Sequence, residues 1–126
     1  MLFYDTCNWI YAYITWDERT NARTLQILRY DCKDFTYGSK AIPLSDGEIS
    51  LKVCVNGAEA QFYYKANGDW QPLGGVQPAD HLSDDYVETR RGRCAFTGAM
   101  VGICAQDMDA HQSHADFACF DYAKQR

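Results

Sequence analysis

A chain of 126 residues has the length of one domain. Hydrophobic residues make up 47% of the sequence and are spread along it, which excludes an intrinsically disordered protein. The formal net charge of −5 excludes a nucleic-acid-binding protein, because acidic surfaces repel the phosphate backbone.

The N-terminal part of the sequence predicts paired β-strands. Residues 9–16 are an unbroken run of apolar, aromatic and β-branched residues, which indicates a strand covered on both faces. A polar turn at residues 17–22 leads to a returning strand at residues 23–30, and residues 31–43 are a looser stretch.

A second pair of strands follows. Residues 48–55 alternate between apolar and polar side chains, as in a strand with one covered face. The apolar face is formed by Ile49, Leu51, Val53 and Val55. An Asn-Gly dipeptide at residues 56–57 favours the positive φ angles of a type I′ hairpin turn, and residues 58–65 form the partner strand. A tight turn at residues 67–69 then opens into a strand at residues 70–73.

The C-terminal part is predicted as a long loop followed by two strands. Residues 74–92 form the polar loop, and the closing strands cover residues 94–106 and 115–122. No segment holds an apolar period of 3.6 residues long enough to predict a helix. The fold class is therefore all-β, an antiparallel sandwich in which residues 1–126 form a single domain.

The first strand signal begins at residue 2 without a lead-in, and sandwich domains often reach about 200 residues. We therefore expect the chain to be the later part of a longer sandwich, without its N-terminal strands. Such a sandwich exposes an apolar face and unpaired strand edges, which predicts a homodimer or larger oligomer.

Residues 1–5 offer no basic region followed by an apolar stretch, and no apolar run approaches the ~20 residues of a membrane span. The sequence thus predicts a cytoplasmic protein with no membrane contact. The six cysteines include no C-x-x-C pair, so the usual zinc and redox spacings are absent. Three disulfides would fit a secreted protein, whereas a cytoplasmic one favours free thiols, mostly buried.

Three stretches of the sequence resemble the C-terminal domain of glycoside hydrolase family 43 enzymes, which are β-xylosidases and α-L-arabinofuranosidases. These stretches are residues 3–18, 42–74 and 96–122, and the resemblance extends from Leu2 to Tyr122. The most specific motifs lie near the end of the chain, at residues 96–99, 101–102, 106–107 and 115–117.

The resemblance implies a concanavalin A-like β-sandwich that follows a five-bladed catalytic propeller. In that family the propeller carries the catalytic carboxylates, and none of its characteristic segments occurs in this sequence. The resemblance thus agrees with the strand pattern in predicting a C-terminal fragment. It also implies that the domain's partner is the propeller and that any sugar contact is indirect.

Glycoside hydrolysis requires two carboxyl groups placed across the scissile bond, one of them shielded enough to stay protonated. The acidic candidates are Asp80, Asp84, Asp85, Glu88, Asp107, Asp109 and Asp116. Nothing in their spacing places one in an apolar pocket, so we expect solvated charges and turn formers. The sequence therefore predicts no catalytic residue in this chain.

Phe96 is the candidate for a contribution to the substrate pocket. The resemblance implies a loop that carries an aromatic residue from the sandwich towards the propeller pocket, and the motif at residues 93–98 fits this loop. An aromatic ring excludes water and packs on the C–H face of a sugar. The alternative is that Phe96 is a core residue at the start of a strand.

Two metal sites deserve consideration. His111, His114 and Asp116 resemble a metal motif, but no third or fourth ligand follows at a zinc spacing, and we expect a solvated turn. The resemblance raises a structural calcium ion, since lectin-like sandwiches often hold one through an aspartate on the last strand. Ala118 replaces the second aspartate of the family pattern, so we predict neither a metal site nor a cofactor.

Seven aromatic residues could form a sugar-stacking platform if several of them faced solvent. These are Trp9, Trp16, Trp70, Tyr11, Tyr13, Tyr63 and Tyr64. The alternative is that they belong to the core or to a contact between domains. Since neighbouring strand residues face opposite sides, Phe62 and Tyr64 share a face and Tyr63 takes the other.

The leading functional hypothesis is a non-catalytic accessory domain of an enzyme that breaks down xylan or xylo-oligosaccharides. It would pack on the propeller and help to shape its substrate pocket. The alternatives are a stand-alone lectin-like module that binds carbohydrate and an independently acting glycosidase.

Overall fold

A computed structural model of the protein describes residues 1–124. Within these residues the chain forms nine strands, one α-helix and one short 3-10 helix. In chain order they are β1 (Leu2–Asp5), β2 (Asn8–Asp17), β3 (Ala22–Asp31), β4 (Asp34–Tyr37), β5 (Ile42–Leu44), β6 (Ser50–Asn56), β7 (Glu59–Lys65), β8 (Gln71–Pro78), the 3-10 helix Asp80–Leu82, α1 (Asp84–Arg91) and β9 (Met100–Val101).

The strands form two antiparallel sheets. The six-stranded sheet has the order β4-β3-β2-β1-β9, and β5 pairs with β3 beside β4. The three-stranded sheet has the order β6-β7-β8. The hairpin of β2 and β3 is in register over its full length, from Asn8 opposite Asp31 to Asp17 opposite Ala22. The prediction of an all-β antiparallel sandwich is confirmed.

The core lies between the inner faces of the two sheets. The six-stranded sheet contributes Ile10, Leu25 and Ile27, all fully buried, and the three-stranded sheet contributes Phe62 and Leu73. Each of these side chains is worth about 1.5–3 kcal/mol when fully removed from water, so this layer is the main source of stability.

Gly38, in the link between β4 and β5, lies close to side chains of both sheets. A Cβ atom there would lie 2.7 Å from Ile27 Cγ2 and would also overlap the amide of Gln77. Gln77 on β8 donates hydrogen bonds to the carbonyl oxygens of Gly38 and Gly75, at 3.0 and 2.8 Å. A buried side-chain amide thus ties the sheets together at a point where only glycine fits.

The polar stretch at residues 74–92 is not a loop, and the prediction that no helix would form is wrong. It holds the end of β8, the 3-10 helix and α1. Ser83 caps α1 by accepting a hydrogen bond from the Tyr86 amide at 3.3 Å. Gly92 ends it with a left-handed φ of 61°, and its N–H bonds Glu88 O. The caps compensate for a weak apolar pattern, in which Val87 is the buried residue.

The two predicted closing strands are also largely wrong. Of residues 94–106 only Met100 and Val101 form a strand, β9, which pairs with β1. Residues 115–122 form no strand and are exposed. Strand-forming residues are not sufficient, because a strand also needs a neighbouring strand edge for its backbone hydrogen bonds. The exposed backbone groups of this segment can form hydrogen bonds with water instead.

Several finer expectations are corrected. The strand at residues 9–16 is not covered on both faces, since Ile14 is 39% and Trp16 56% exposed. The stretch at residues 31–43 contains β4 and β5. The hairpin of β6 and β7 is confirmed, but its turn residues are Gly57 and Ala58, and of these Gly57 has a positive φ, so the turn is not type I′.

The six cysteines all lie within residues 1–124, and the structure joins none of them in a disulfide. The expectation that most of them are buried is wrong. Three are half-buried (Cys7, Cys32 and Cys54), and three are exposed (Cys94, Cys104 and Cys119). The part of the chain that the structure describes contains no helix long and apolar enough to cross a membrane.

Candidate functional site

A polar cluster joins α1 to the six-stranded sheet at the C-terminal end of β3. Asp31 accepts hydrogen bonds from Asn8 Nδ2 at 3.0 Å and from Tyr86 Oη at 2.5 Å. Arg91 Nη2 lies 2.8 Å from the same carboxylate. Burial by itself would raise the pKa of Asp31, but the hydrogen bonds from Arg91 and Tyr86 outweigh it and lower the pKa. This cluster, the Asp31 clamp, holds α1 on the sheet.

A second ion pair extends the Asp31 clamp to the segment after α1. Arg93 Nη1 lies 2.7 Å from Asp5 Oδ2, and Arg93 Nη2 donates to Asn8 Oδ1 at 2.6 Å. Asn8 is fully buried and links the two ion pairs, since its amide nitrogen donates to Asp31 and its oxygen accepts from Arg93. The chain is therefore held in place where it leaves the helix.

His81 lies beside the clamp and is 1% exposed. Neither ring nitrogen makes a hydrogen bond within residues 1–124. Burial lowers the pKa of His81, and the charge of Arg29 lowers it further. The imidazole is therefore neutral at pH 7, and its place under the sheet is that of a packing residue.

Phe96 lies on the segment that the clamp anchors, and its side chain is 91% exposed. Ala95 next to it is 4% exposed, and the pairing of β9 with β1 holds the far end of the segment. The alternative that Phe96 is a core residue does not hold in this structure. An exposed phenylalanine between two anchored points is positioned for contact with another surface.

The acidic candidates do not converge on one site. Asp84 accepts a hydrogen bond from Tyr4 Oη at 2.6 Å, and Asp80 accepts one from the His81 amide. Asp85 and Glu88 lie exposed on α1, and Asp109 and Asp116 are exposed in the C-terminal segment. A glycosidase acid must be shielded so that its pKa rises, and these exposed carboxylates lack that environment.

Asp107 organises the C-terminal loop. Its carboxylate accepts hydrogen bonds from the backbone N–H groups of Ser113, Gln112 and Asp109 at 2.8–3.0 Å. Donation from Ser113 and Asp109 lowers the pKa of Asp107 to about 2. This group stays ionised and shapes the turn, which is the opposite of what a general acid requires.

The suggested metal ligands do not form a site. His114 Nε2 lies 3.7 Å from Asp116 Oδ2, with side chains 83% and 95% exposed, and His111 occupies a left-handed turn position. In residues 1–124 no three His, Cys, Asp or Glu side chains are grouped closely enough to hold an ion. The residues present do not fit the calcium site that the resemblance raised, because Asp116 is 95% exposed and Ala118 stands where the family pattern has a second aspartate.

The seven candidate aromatic residues separate into different surfaces. Trp9, Tyr11 and Tyr13 form a ladder on the outer face of β2, with ring centroids 4.6 and 5.6 Å apart. Trp16 lies on the opposite face of the same strand, by alternation from Ile10. On the other sheet, the Lys52 ammonium group lies 4.6 Å from the Trp70 ring and 4.8 Å from the Tyr63 ring, and Lys65 lies 5.2 Å from Trp70.

The strand register adds two rings that the sequence analysis missed. Tyr30 lies opposite Trp9, and Phe35 lies opposite Tyr30, with the last two rings stacked at 4.3 Å. The alternation of Trp9, Tyr11 and Tyr13 was visible in the sequence. No local signal shows which residues of β3 and β4 lie beside them, because that depends on the register of three strands.

Comparison with known proteins shows which proteins this domain is similar to. A family model described as the β-xylosidase C-terminal concanavalin A-like domain matches residues 1–123. The chain is 30% identical to a putative β-xylosidase of Escherichia coli K12 over 125 residues, which are 95% of this chain and 23% of that protein. It is 31% identical to the β-xylosidase of Bacillus subtilis 168 over 126 residues, 95% of this chain and 22% of that protein.

A solved structure shows the same likeness in three dimensions. The crystal structure of xylan β-1,4-xylosidase from Bacillus halodurans C-125 superimposes with a TM-score of 0.77 at 28% identity. The match covers 88% of this chain and 21% of that one. The chain therefore spans less than a quarter of the length of the relatives that it matches.

Proposed function

The chain belongs to the family of C-terminal concanavalin A-like domains of glycoside hydrolase family 43 β-xylosidases, and from this we propose that it packs on a catalytic propeller and helps to shape the substrate pocket. The whole assembly would hydrolyse O-glycosyl bonds as a β-xylosidase or α-L-arabinofuranosidase in xylan breakdown. The main support for the proposal is that residues 1–123 match a model of a C-terminal domain. In agreement with this, the chain aligns with only 22–23% of the length of two β-xylosidase relatives.

The catalytic centre of such an enzyme would lie outside this chain. The seven acidic candidates of the sequence analysis are spread over the 3-10 helix, α1 and the C-terminal segment. Hydrolysis requires two carboxyl groups within about 5–10 Å of each other and one of them shielded from water. We therefore propose that the chain by itself does not cleave a glycoside.

Phe96 is the residue that we propose to reach the substrate pocket. Burying an exposed phenylalanine stabilises a contact by about 1.5–3 kcal/mol. Because Phe96 is 91% exposed, its burial against a partner surface would stabilise that contact. The Asp31 clamp and β9 hold its backbone on both sides, which limits the entropy lost on docking. The ring would exclude water and cover one face of the sugar.

Co-expression tests this proposal. The partner is the remainder of the Bacillus subtilis β-xylosidase, outside the part that aligns with this chain. We expect the two chains to co-purify and the pair to hydrolyse a chromogenic β-xyloside faster than either chain does. Absence of both association and added activity would overturn the proposal.

A matched pair of variants tests the role of Phe96. Phe96→Ala should lower kcat/KM of the assembled pair by roughly tenfold, the equivalent of about 1.4 kcal/mol. Met108→Ala is the control, since Met108 is 88% exposed in the same C-terminal part of the chain but has no proposed contact with the substrate. Equal loss in both variants would argue against a specific role for Phe96.

A further inference from the structure

The outer face of the six-stranded sheet carries a continuous row of apolar and aromatic side chains. The strand register pairs one residue from each of five neighbouring strands, in the order Met100, Phe3, Trp9, Tyr30 and Phe35. Directly paired residues point to the same face of an antiparallel sheet. Phe3 is on the outer face because its neighbours Leu2 and Tyr4 are buried in the core.

A second row lies beside the first. Tyr11, Leu28 and Tyr37 are paired across β2, β3 and β4, and Tyr13 pairs with Gln26 one step further. Trp9 stacks on Tyr11 across the two rows, at 4.6 Å and an interplanar angle of 19°. The two rows together form what we call the aromatic face.

The aromatic face is open to solvent. Phe35 and Tyr37 on β4 are 64% and 66% exposed, and Met100 on β9 is 52% exposed. The other members of the two rows are half-buried. Exposed apolar side chains that lie side by side mark an interaction site more often than exposed apolar residues that are scattered singly.

No charged side chain belongs to the paired rows of the aromatic face, although the whole chain carries a net charge of −5. Its polar groups are neutral. Tyr13 Oη donates to Gln26 Oε1 at 3.1 Å, and Gln26 Nε2 donates to Ser39 O at 3.1 Å. Tyr37, which is 66% exposed, adds a hydroxyl group at the β4 edge of the face. The face therefore matches a neutral ligand that has both apolar and hydroxyl surface.

We propose that the aromatic face binds an uncharged β-linked xylo-oligosaccharide, or the same segment of a xylan chain. Each pyranose ring presents an apolar C–H face that packs on an aromatic ring, and its hydroxyl groups pair with tyrosine hydroxyls at the rim. Successive rings along the rows meet successive sugars. The choice of xylose rests on the proposed function, whereas the choice of an uncharged sugar rests on the face itself.

A second copy of the chain fits this surface less well. Pairing two aromatic faces would remove the water that hydrates the Tyr37 hydroxyl group and place rings of the other copy against it. A sugar satisfies the same group with its own hydroxyls. The hydroxyl and amide groups within the rows thus favour the glycan over self-association.

Calorimetric titration of the 126-residue chain with xylohexaose tests the proposal. We expect binding in the micromolar to millimolar range, weakened roughly tenfold or more by the double substitution Phe35→Ala and Tyr37→Ala. Both rings lie largely exposed on β4, so their removal leaves the core intact, which a thermal melt verifies. Trp16→Ala is the matched control, because Trp16 is 56% exposed on the opposite face of the sheet and should not change the affinity.

An oligogalacturonate of equal length is the charged control ligand and should not bind. Absence of xylohexaose binding at millimolar concentration would overturn the proposal, as would equal weakening by Trp16→Ala or equal affinity for the acidic ligand. A dimer that dissociates on Tyr37→Asp would show that a second copy covers the face, which also overturns it. The co-expression assay measures association and xyloside hydrolysis and contains no xylohexaose, so failure of the proposed function is read separately.

Discussion

At the scale of single residues, Asp31 connects elements that do not meet in the hydrophobic core. It lies at the end of β3 and contacts groups from β2 and α1 at 2.5–3.0 Å. Its side chain is 15% exposed and that of Arg91 is 28% exposed, so solvent screens the ion pair in part. The pair nevertheless connects β3 with α1, although the two residues are 60 positions apart in sequence.

Replacing Asp31 with Asn should lower the free energy of unfolding by about 1 kcal/mol at pH 7, measured by urea denaturation, once solvent screening is allowed for. Asp34→Asn is the control, since Asp34 is 76% exposed and lies 3.6 Å from the same Arg91 guanidinium. A loss in Asp34→Asn equal to that in Asp31→Asn would contradict the clamp.

The same substitution has a defined pH dependence. The pKa of Asp31 is lowered in the folded state, so its contribution is fully present above the ordinary value of 3.8 and is lost as pH falls through the lower folded-state pKa. The difference in stability between the wild-type protein and Asp31→Asn should therefore shrink below pH 4. A difference that grows on acidification would show that the sign is wrong.

At the scale of elements, α1 forms although its apolar pattern is weak, whereas most of the C-terminal segment forms no strand although its residues favour one. α1 has eight residues and one buried side chain, and its ends are set by Ser83 and Gly92. Its last turn carries Arg91, which the Asp31 clamp then holds. The C-terminal segment has strong strand-forming residues, yet only β9 finds an edge to pair with.

Substituting Gly92 with Ala should destabilise the protein by about 1 kcal/mol, because Gly92 has a φ of 61° and an L-residue is strained in that region. Chemical denaturation gives the measurement. Gly75→Ala is the control, since Gly75 does not have a positive φ and no atom lies within 4 Å of its added Cβ. If both variants lost the same stability, the strain at Gly92 would not be the cause.

At the scale of the whole molecule, parts of both inner faces remain uncovered. Ile14 and Trp16 share the face of Ile10 on β2, and Leu51 and Val55 share the face of Val53 on β6, yet these four are 39–56% exposed. Each sheet is thus only partly covered by the other. This is the physical basis for expecting further chain to pack on the sandwich.

We expect the isolated chain to form a homodimer or larger oligomer through these inner edges. Light scattering at micromolar concentration should give more than one chain per particle, and Trp16→Asp should shift it towards monomer. Tyr37→Asp on the aromatic face should leave the oligomer unchanged. A monomeric wild-type protein would contradict the expectation.

The sequence by itself determined the features that depend on neighbours along the chain. An unbroken apolar run and a polar turn were sufficient for the hairpin of β2 with β3, and alternation was sufficient for that of β6 with β7. The stretches at residues 3–18, 42–74 and 96–122 were together sufficient for the family. The capping residues Ser83 and Gly92 are local signals as well, but α1 was not predicted because its apolar periodicity is weak.

Only the tertiary structure decided which residues from distant strands lie together. The row from Met100 to Phe35 exists because five strands hold one register, and a slip of one residue in any of them would send its side chain to the core face. The Asp31 clamp and the exposure of Phe96 depend in the same way on where α1 docks. Pairing and burial are set by the free energy of the whole fold, whereas turns and alternation are set by a few adjacent residues.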